Sequence, residues 1–368
     1  MKKMILVLVL FSGILSCTHH SSSANDSVKI VVTGNSRAKL EPCGCRIPAG
    51  GLPRRMGFIY SMEKGWSDFM KIEAGNWLFP AYNAPETAPQ SWKQKSGLLA
   101  KAYGEAHYDA INVGFTDLSH GYEYLLELQK ENKLPFLSTN LLNETGETLF
   151  KPFYLFNQKG LRIAVMGVTY LTDDQASRFK SLTPEDAIRK QLPKLRNEAD
   201  LILILADMPL DKTEELGETI PEIDFIVNSR HKGRTQLPRQ TGGKAVYTYL
   251  GPDGQYVGIL KVVFNAPGQP VRDISGAYHR LDFSKGRLAE YRERAGDTPV
   301  ETYYKDNPGL LRTIRVYEKE VERQQSILDT TQNYFIWSMR HLDSGVYSHP
   351  EWEKAVNEVL MKAEGEKN

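Results

Sequence analysis

Short apolar runs alternate with amphipathic stretches along most of the chain, and this alternation limits the folds open to it. Several of the runs are apolar on both faces, as expected for strands of a sheet covered on both sides. The predicted strands span residues 28–34, 69–76, 108–115, 134–140, 161–170, 199–207, 223–229, 244–251 and 256–264. Helices are predicted between several of them, for example over 119–132 and 183–198. Repeated strand-then-helix units indicate an α/β fold.

The pattern changes after residue 283. Apolar side chains repeat on one helical face within 307–328, with charges opposite, which predicts an amphipathic helix. Residues 335–360 are predicted to form a second helical region, interrupted near Gly345 and Pro350. We therefore expect an α/β domain over 28–283 and a helical C-terminal extension over 284–368.

The N-terminus has the features of a secretory signal. Lys2 and Lys3 precede an apolar run that is too short to span a bilayer, and residues 14–17, ILSC, resemble a bacterial lipobox. That resemblance implies a signal peptide over 1–16, an acylated Cys17, and a polar tether over 17–27. The expected location is the cell envelope, lipid-anchored to the outer membrane. An ordinary secreted protein cleaved elsewhere is the alternative.

Composition narrows the classes of partner. The formal net charge is +1 and charged residues make up 25% of the chain. A nucleic-acid-binding surface normally shows as a basic excess, so we expect no nucleic-acid partner. The expected partners are a membrane, through the lipid, and a redox protein of the envelope.

Ordered fragments at the predicted strand ends show a family resemblance over residues 28–264. They read VVTGNSRA, GGLPRR, EAGN, VGFTD, STNLLNETGETLFKP, IAVMGVTY, LILADMP, IDFIVNSRHKGR and YVGILKVVF. The chain resembles the 5'-nucleotidase branch of the calcineurin-like metallophosphoesterases. The resemblance implies a four-layer α/β/β/α sandwich, in whose working members two divalent metals sit at the strand ends.

The residues at the matching metal-ligand positions depart from the family pattern. They are Asn35, Arg37, Asn76, Phe115, Thr116, Asp117, Asp207, Arg230 and Lys232. An offset of one residue would place His231 at one ligand position, but its histidine partner would still be missing. Two-metal hydrolysis needs a cluster of carboxylate and imidazole ligands. We therefore predict that the metal pair is lost and that no cofactor is bound, unless the chain is a divergent hydrolase.

Three cations fall where the metals would have supplied positive charge. The resemblance places Arg37, Arg230 and Lys232 near Asp117 and Asp207. Guanidinium groups bind phosphate or sulfate bidentately, so the three cations are candidate anion ligands. The interpretation that we favour is an inert ion-pair network, since partly buried charges tend to satisfy one another.

Cys43 and Cys45 are the cysteines left once Cys17 is acylated, and they lie within reach of a disulfide. A disulfide between them would close a short loop and add little stability, which disfavours a purely structural role. The Cys-Gly-Cys segment resembles a subgroup of bacterial 5'-nucleotidase-like (seleno)proteins, and that resemblance implies redox chemistry. An unreactive pair, capture of a soft metal, and a contact with a partner stay open.

Three functions are compatible with these features. The leading hypothesis is an envelope lipoprotein whose metallophosphoesterase-like body acts in thiol redox or binding through Cys43 and Cys45. The alternatives are a divergent phosphoester hydrolase and a non-catalytic scaffold.

Overall fold

Two mixed β-sheets packed face to face form the centre of the molecule in this computed structural model, which describes residues 27–365 apart from 67 and 84. The first sheet has seven strands in the order β12-β13-β11-β1-β2-β3-β4, and the second has six in the order β5-β6-β7-β8-β10-β9. The strands are β1 (Val28–Thr33), β2 (Met70–Glu73), β3 (Ala110–Asn112), β4 (Phe136–Leu137), β5 (Phe153–Gln158), β6 (Leu161–Thr169), β7 (Leu201–Asp207), β8 (Phe225–Asn228), β9 (Arg239–Gln240), β10 (Val246–Tyr249), β11 (Tyr256–Phe264), β12 (Arg272–Asp273) and β13 (Asn333–His341).

Helices cover the outer faces of both sheets, which completes the expected four layers. The helices are α1 (Leu52–Gly65), α2 (Ser91–Glu105), α3 (Gly121–Asn132), α4 (Asp173–Ala176), α5 (Pro184–Leu195), α6 (Leu210–Thr219), α7 (Ser275–Ala295), α8 (Val300–Tyr303), α9 (Pro308–Thr330) and α10 (Pro350–Gly365), with a 3-10 helix at Thr116–His120. Helices α1, α2, α3 and α10 share a core on one side, while α5 and α6 pack on the other. The α/β sandwich predicted from the sequence is confirmed.

The central core lies between the two sheets. It consists of side chains from alternate strand positions, such as Ile30, Ile72, Val165, Leu205 and Phe225, all fully buried. A strand buried on both faces needs apolar residues at nearly every position, and this explains the continuous apolar runs. The parallel strands of both sheets end at the same edge, where the residues that follow them come together.

The C-terminal extension differs from its predicted structure in one element. Helix α9 is confirmed within two residues at its C-terminal end. In the second predicted helical region, the part after Pro350 is confirmed by α10, but the part that begins at residue 335 is wrong. Residues Asn333–His341 form β13, which pairs antiparallel with β11, with Trp337 opposite Leu260. Phe335 and Trp337 of this strand complete the central core, and the free edge of β11 provides the hydrogen-bond partners. Strand β5 was also absent from the predicted elements.

Two further features concern the ends of the chain and the extension. Helix α7 runs through position 283, where the sequence predicts the extension to begin. The predicted signal peptide 1–16 and Cys17 lie outside the described residues, and so does the tether except for Ser27. Within residues 27–365, no helix is both long enough and apolar enough to cross a bilayer.

Candidate functional site

The strand ends bring most of the positions that the family resemblance matched to metal ligands into one hydrogen-bonded cluster. Its members follow β2, β3, β7 and β8, whose carboxyl ends meet at one edge of the sandwich. We call it the strand-end cluster, and its members are Asn76, Phe115, Thr116, Asp117, Asp207 and Arg230. These positions lie close together in the structure, and the groups that meet there are amide, carboxylate and guanidinium.

Asn76 lies at the centre of the strand-end cluster. Its Nδ2 donates a hydrogen bond to Oδ1 of Asp207 at 2.7 Å. Its Oδ1 accepts from the backbone N–H of Thr116 at 2.9 Å and from the Thr116 hydroxyl at 3.2 Å. A carboxamide can donate and accept at once, whereas a carboxylate only accepts. An aspartate at this position would face the Asp207 carboxylate, so the asparagine suits a site without a cation between the two side chains.

Asp117 binds backbone N–H groups rather than the charged side chains of the cluster. Its Oδ2 accepts from the N–H groups of Gly114 at 2.8 Å and Asn76 at 2.9 Å. Its Oδ1 accepts from Trp77 at 3.0 Å and Leu78 at 2.9 Å. Burial raises the pKa of Asp117 to about 7, while these N–H donors oppose the rise by favouring the carboxylate. The side chain therefore fixes the turns after β2 and β3.

Asp207 is fully buried and pairs with Arg230, whose side chain is 23% exposed. The guanidinium donates from Nε to Oδ1 at 2.8 Å and from Nη2 to Oδ2 at 3.0 Å. Nη2 also donates to the backbone carbonyl of Tyr170 at 2.7 Å. The Phe115 N–H donates to Oδ2 of Asp207, and the guanidinium lies 4.7 Å from the centre of the Phe115 ring. A cation of the protein itself thus neutralises the buried carboxylate.

The remaining candidate positions lie apart from this ion pair. Arg37 donates from Nε to the carbonyl of Pro80 at 2.9 Å, and Asn35 donates from Nδ2 to the carbonyl of His231 at 3.4 Å. Lys232 is exposed and has no ion-pair partner in the described part of the chain. Arg37, Arg230 and Lys232 therefore share no common partner among the described residues.

The donor set at the strand ends can be tested against the requirements of a divalent metal pair. Within residues 27–365, apart from 67 and 84, no three His, Cys, Asp or Glu side chains converge as a metal site requires. Asp207 is engaged by a guanidinium and Asp117 by backbone N–H groups. Asn76 uses both ends of its amide within the cluster, so these donors do not fit two divalent cations.

Cys43 and Cys45 are joined by a disulfide, with their Cα atoms 5.4 Å apart. The backbone N–H of Cys43 donates to the carbonyl of Ala49 at 2.8 Å, and the N–H of Ala49 donates to Sγ of Cys43 at 3.4 Å. These bonds close an exposed loop over residues 41–48, which we call the disulfide loop; Cys45 is exposed there, and the side chain of Ile47 is 56% exposed. In the described part of the chain, no hydrogen bond or ion pair joins the disulfide loop to the strand-end cluster.

A buried polar network next to the site was missed at the sequence level. Arg55 and Glu73 are 1% and 0% exposed, and the Tyr103 hydroxyl lies between them. This hydroxyl donates to Oε2 of Glu73 at 2.9 Å and accepts from Nη1 of Arg55 at 3.2 Å, while the Thr33 hydroxyl donates to the same Oε2 at 2.7 Å. Burial raises the pKa of Glu73 to about 7. Arg55 lies in the motif GGLPRR and Glu73 in the motif EAGN, so these two motifs are the sequence feature that could have pointed to the network.

Comparison with known proteins agrees with this geometry at the level of the fold. A 5'-nucleotidase precursor from Thermus thermophilus superposes with a TM-score of 0.54 at 19% identity, covering 66% of this chain and 52% of that one. The fold is that of the metallophosphoesterases. In sequence, a 5'-nucleotidase from Vibrio cholerae is 27% identical over 293 residues, covering 74% of this chain and 49% of the relative.

A second sequence relative matches a shorter segment. Protein UshA from Escherichia coli is 35% identical over 127 residues, covering 34% of this chain and 20% of the relative. The chain thus spans about half or less of the length of these relatives. No family model matches the sequence.

Proposed function

We propose that this protein is an envelope lipoprotein that exchanges thiols and disulfides through Cys43 and Cys45, on a metallophosphoesterase-like body that works without a two-metal centre. One observation carries the proposal: the two cysteines form a disulfide in an exposed loop at one edge of an otherwise well-packed domain. An oxidised pair that is open to solvent can be reached by a thiol of a second protein.

A purely structural role for this disulfide has little energetic support. The bond joins residues two apart in sequence, and the stabilisation expected from a disulfide falls with the length of the loop it closes. The hydrogen bonds between Cys43 and Ala49 already close the loop without the sulfur–sulfur bond. Arg46 follows Cys45 and is exposed, and a neighbouring guanidinium favours the thiolate that forms when the disulfide opens.

The reaction balances as a two-electron exchange with a dithiol protein of the envelope. A thiolate of the partner attacks Sγ of Cys45, which is more exposed than Cys43; a mixed disulfide forms and Cys43 leaves as a thiolate. The second thiol of the partner then displaces Cys45. The products are reduced Cys43 and Cys45 and a disulfide in the partner, and two protons accompany the two electrons.

The second half of the proposal, a body without two metals, rests on the strand-end cluster. Arg230 binds the Asp207 carboxylate at 2.8 Å, in a position where the family resemblance would have metal ligands. A guanidinium repels divalent cations, and Asn76 supplies a neutral amide. The relatives named 5'-nucleotidase are about twice as long as the matched segment, so their activity is not assumed for this chain.

Support for the envelope location comes first from the N-terminal sequence. Residues 14–17, ILSC, resemble a lipobox, and Cys17 would then hold the lipid. An oxidising compartment keeps exposed cysteine pairs as disulfides, in agreement with the bond between Cys43 and Cys45.

Differential alkylation of the lipidated protein in glutathione buffers tests the redox role. Trypsin cleaves after Lys39 and Arg46 and releases LEPCGCR, a peptide that contains Cys43 and Cys45 and no other cysteine. We expect this peptide to convert reversibly between disulfide and doubly alkylated forms, with a midpoint between roughly −180 and −300 mV. In Cys43→Ser, Cys45 is expected to form a mixed disulfide with glutathione from the buffer, because the neighbouring thiol that would displace the glutathione is missing.

Two results would contradict the proposal. A peptide that stays disulfide-bonded in every buffer, or one that is never oxidised, refutes thiol–disulfide exchange. Phosphoester turnover that depends on stoichiometric bound Mn²⁺ or Zn²⁺ refutes the body without two metals and favours the divergent hydrolase. Cys43→Ser with Cys45→Ser is the matched control, since it removes the redox signal and leaves the strand-end cluster intact.

A further inference from the structure

A cavity of about 530 Å³ lies between the C-terminal extension and the segment that follows β8. Its lining includes Arg234 and Leu237 from that segment, Tyr256 at the start of β11, and Met339 and His341 near the end of β13. Strand β13 is parallel to β1, because both are antiparallel to β11. The cavity therefore opens at the edge where the parallel strands end, the usual place for ligand sites in α/β sheets.

Arg234 gives this cavity a positive charge that nothing in the described residues neutralises. Its guanidinium lies 4.8 Å from the centre of the Tyr256 ring, and it forms no ion pair within the described part of the chain. Tyr256 in turn stacks on His341, with ring centres 4.6 Å apart. None of the residues that line the cavity is an aspartate or a glutamate. The stacked rings of Tyr256 and His341 thus hold the Arg234 guanidinium at the wall of the cavity.

A second cavity of about 390 Å³ continues from the first and is mainly apolar. It runs between α7 and α9, and the two cavities meet at Leu237 and His279, which line both. Phe283 and Val316 line it while being 60% and 59% exposed. Large apolar side chains exposed side by side commonly mark a binding groove.

The charged residues in this second cavity neutralise each other. Arg280 lies 3.5 Å from the carboxylate of Glu320. Among the described residues, Arg234 is therefore the arginine that lines the combined site without an ion-pair partner, and it lies at one end of an apolar groove. His279 places its Nε2 at 2.7 Å from the carbonyl of Trp337, and because a carbonyl only accepts, this nitrogen carries the proton.

We propose that the two cavities together bind a small amphiphilic organic anion. A carboxylate or phosphate head would pair with Arg234, and an apolar body would lie along the groove formed by Leu237, Phe283 and Val316. The size of the site suits a ligand of this kind, since small-molecule pockets commonly enclose about 300–1,000 Å³. The inference does not depend on the disulfide or on the strand-end cluster.

Calorimetric titration of the full chain with octanoate, below its micelle concentration, tests this inference. Octanol carries the same apolar body without the charge, and acetate carries the charge without the body. We expect saturable binding of octanoate, with octanol and acetate each at least about tenfold weaker. Arg234→Gln should weaken octanoate binding by about tenfold or more, because a charge-assisted hydrogen bond is lost.

Matched variants distinguish binding at a specific site from nonspecific binding to an apolar surface. Arg239→Gln is the control for charge: Arg239 is exposed, lies 5.9 Å from the ring centre of Tyr249, and lines neither cavity. It should leave binding unchanged, whereas Val316→Asp should weaken octanoate binding by repulsion. The inference is overturned if octanoate does not saturate, if octanol binds as tightly, or if Arg234→Gln and Arg239→Gln behave alike. Near-ultraviolet circular dichroism confirms that each variant is folded.

Discussion

Arg230→Met is the most informative substitution at the strand-end cluster, because it removes the cation that neutralises a fully buried carboxylate. Asp207 is 0% exposed and Arg230 is 23% exposed. The substitution deletes the two guanidinium bonds to the carboxylate, at 2.8 and 3.0 Å, and the bond to the Tyr170 carbonyl at 2.7 Å. Methionine keeps the aliphatic part of the side chain and its packing on Phe115.

The expected loss of unfolding free energy is about 3 kcal/mol. Removing one partner of a buried ion pair commonly costs about 3–5 kcal/mol, since the other charge is left uncompensated. The lower end applies here for two reasons: Arg230 is partly solvated, and Asp207 keeps hydrogen bonds from Asn76 and Phe115. Arg230→Lys keeps the charge but loses the planar fork, so its expected cost is smaller, about 1–2 kcal/mol.

Equilibrium urea unfolding, followed by tryptophan fluorescence and by circular dichroism, measures these differences. The double variant Arg230→Met with Asp207→Asn removes both charges and should recover about 2 kcal/mol relative to Arg230→Met. If the free energy of unfolding of Arg230→Met lies within about 0.5 kcal/mol of wild type, the prediction is wrong, because the Asp207 carboxylate would then be stable without the guanidinium. Strong stabilisation of the wild type by Mn²⁺ would refute it as well, because the pocket would then accept a divalent metal.

Two further outcomes follow from other buried residues. Because burial raises the pKa of Glu73 from 4.5 to about 7, the folded state holds a proton that the unfolded state has lost within that range. The free energy of unfolding of the wild type therefore falls as the pH rises through this window. The free energy of unfolding of Glu73→Gln should increase by roughly 3 kcal/mol relative to wild type between pH 4.5 and 7. A difference between the two proteins that does not change with pH would contradict the raised pKa of Glu73. Gly258→Ala should cost about 1–3 kcal/mol, because its new Cβ would lie 2.0 Å from the Trp337 ring. Gly97→Ala has open space around it and should be neutral or stabilising, and equal thermal shifts for the two glycine variants would contradict the packing argument.

The fold could be predicted from the sequence because its signal is local. Strands such as β1, β6 and β7 are buried on both faces, and continuous apolar runs record this directly. Helix α9 was predicted for the same reason, since its apolar residues repeat at helical spacing. Strand β13 was not predictable in this way. Its sequence, NYFIWSMRH, fits a helix or a strand, and the free edge of β11 decides between them.

For the candidate site, the positions of the residues could be predicted, but their hydrogen-bond and ion-pair partners could not. The family resemblance matched Asn76, Asp207 and Arg230 to metal-ligand positions at the strand ends, and the three side chains lie together in the structure. It did not determine how they pair. The ion pair between Arg230 and Asp207, and the amide of Asn76 between two partners, depend on distances set by packing. The same holds for Arg37, whose Nε donates to the Pro80 carbonyl and not to the Asp207 carboxylate.

The sequence by itself determined the α/β class, the order of most elements, and the presence of Cys43 and Cys45 beside a glycine, because each depends on residues close in the chain. Only the tertiary structure decided which charges neutralise one another and which stay free. Asp207 and Arg230 are 23 residues apart, and Arg234 meets His341 through Tyr256 across the strand pair β11 and β13. Contacts between distant residues follow from how the sheets pack, and no local pattern records them.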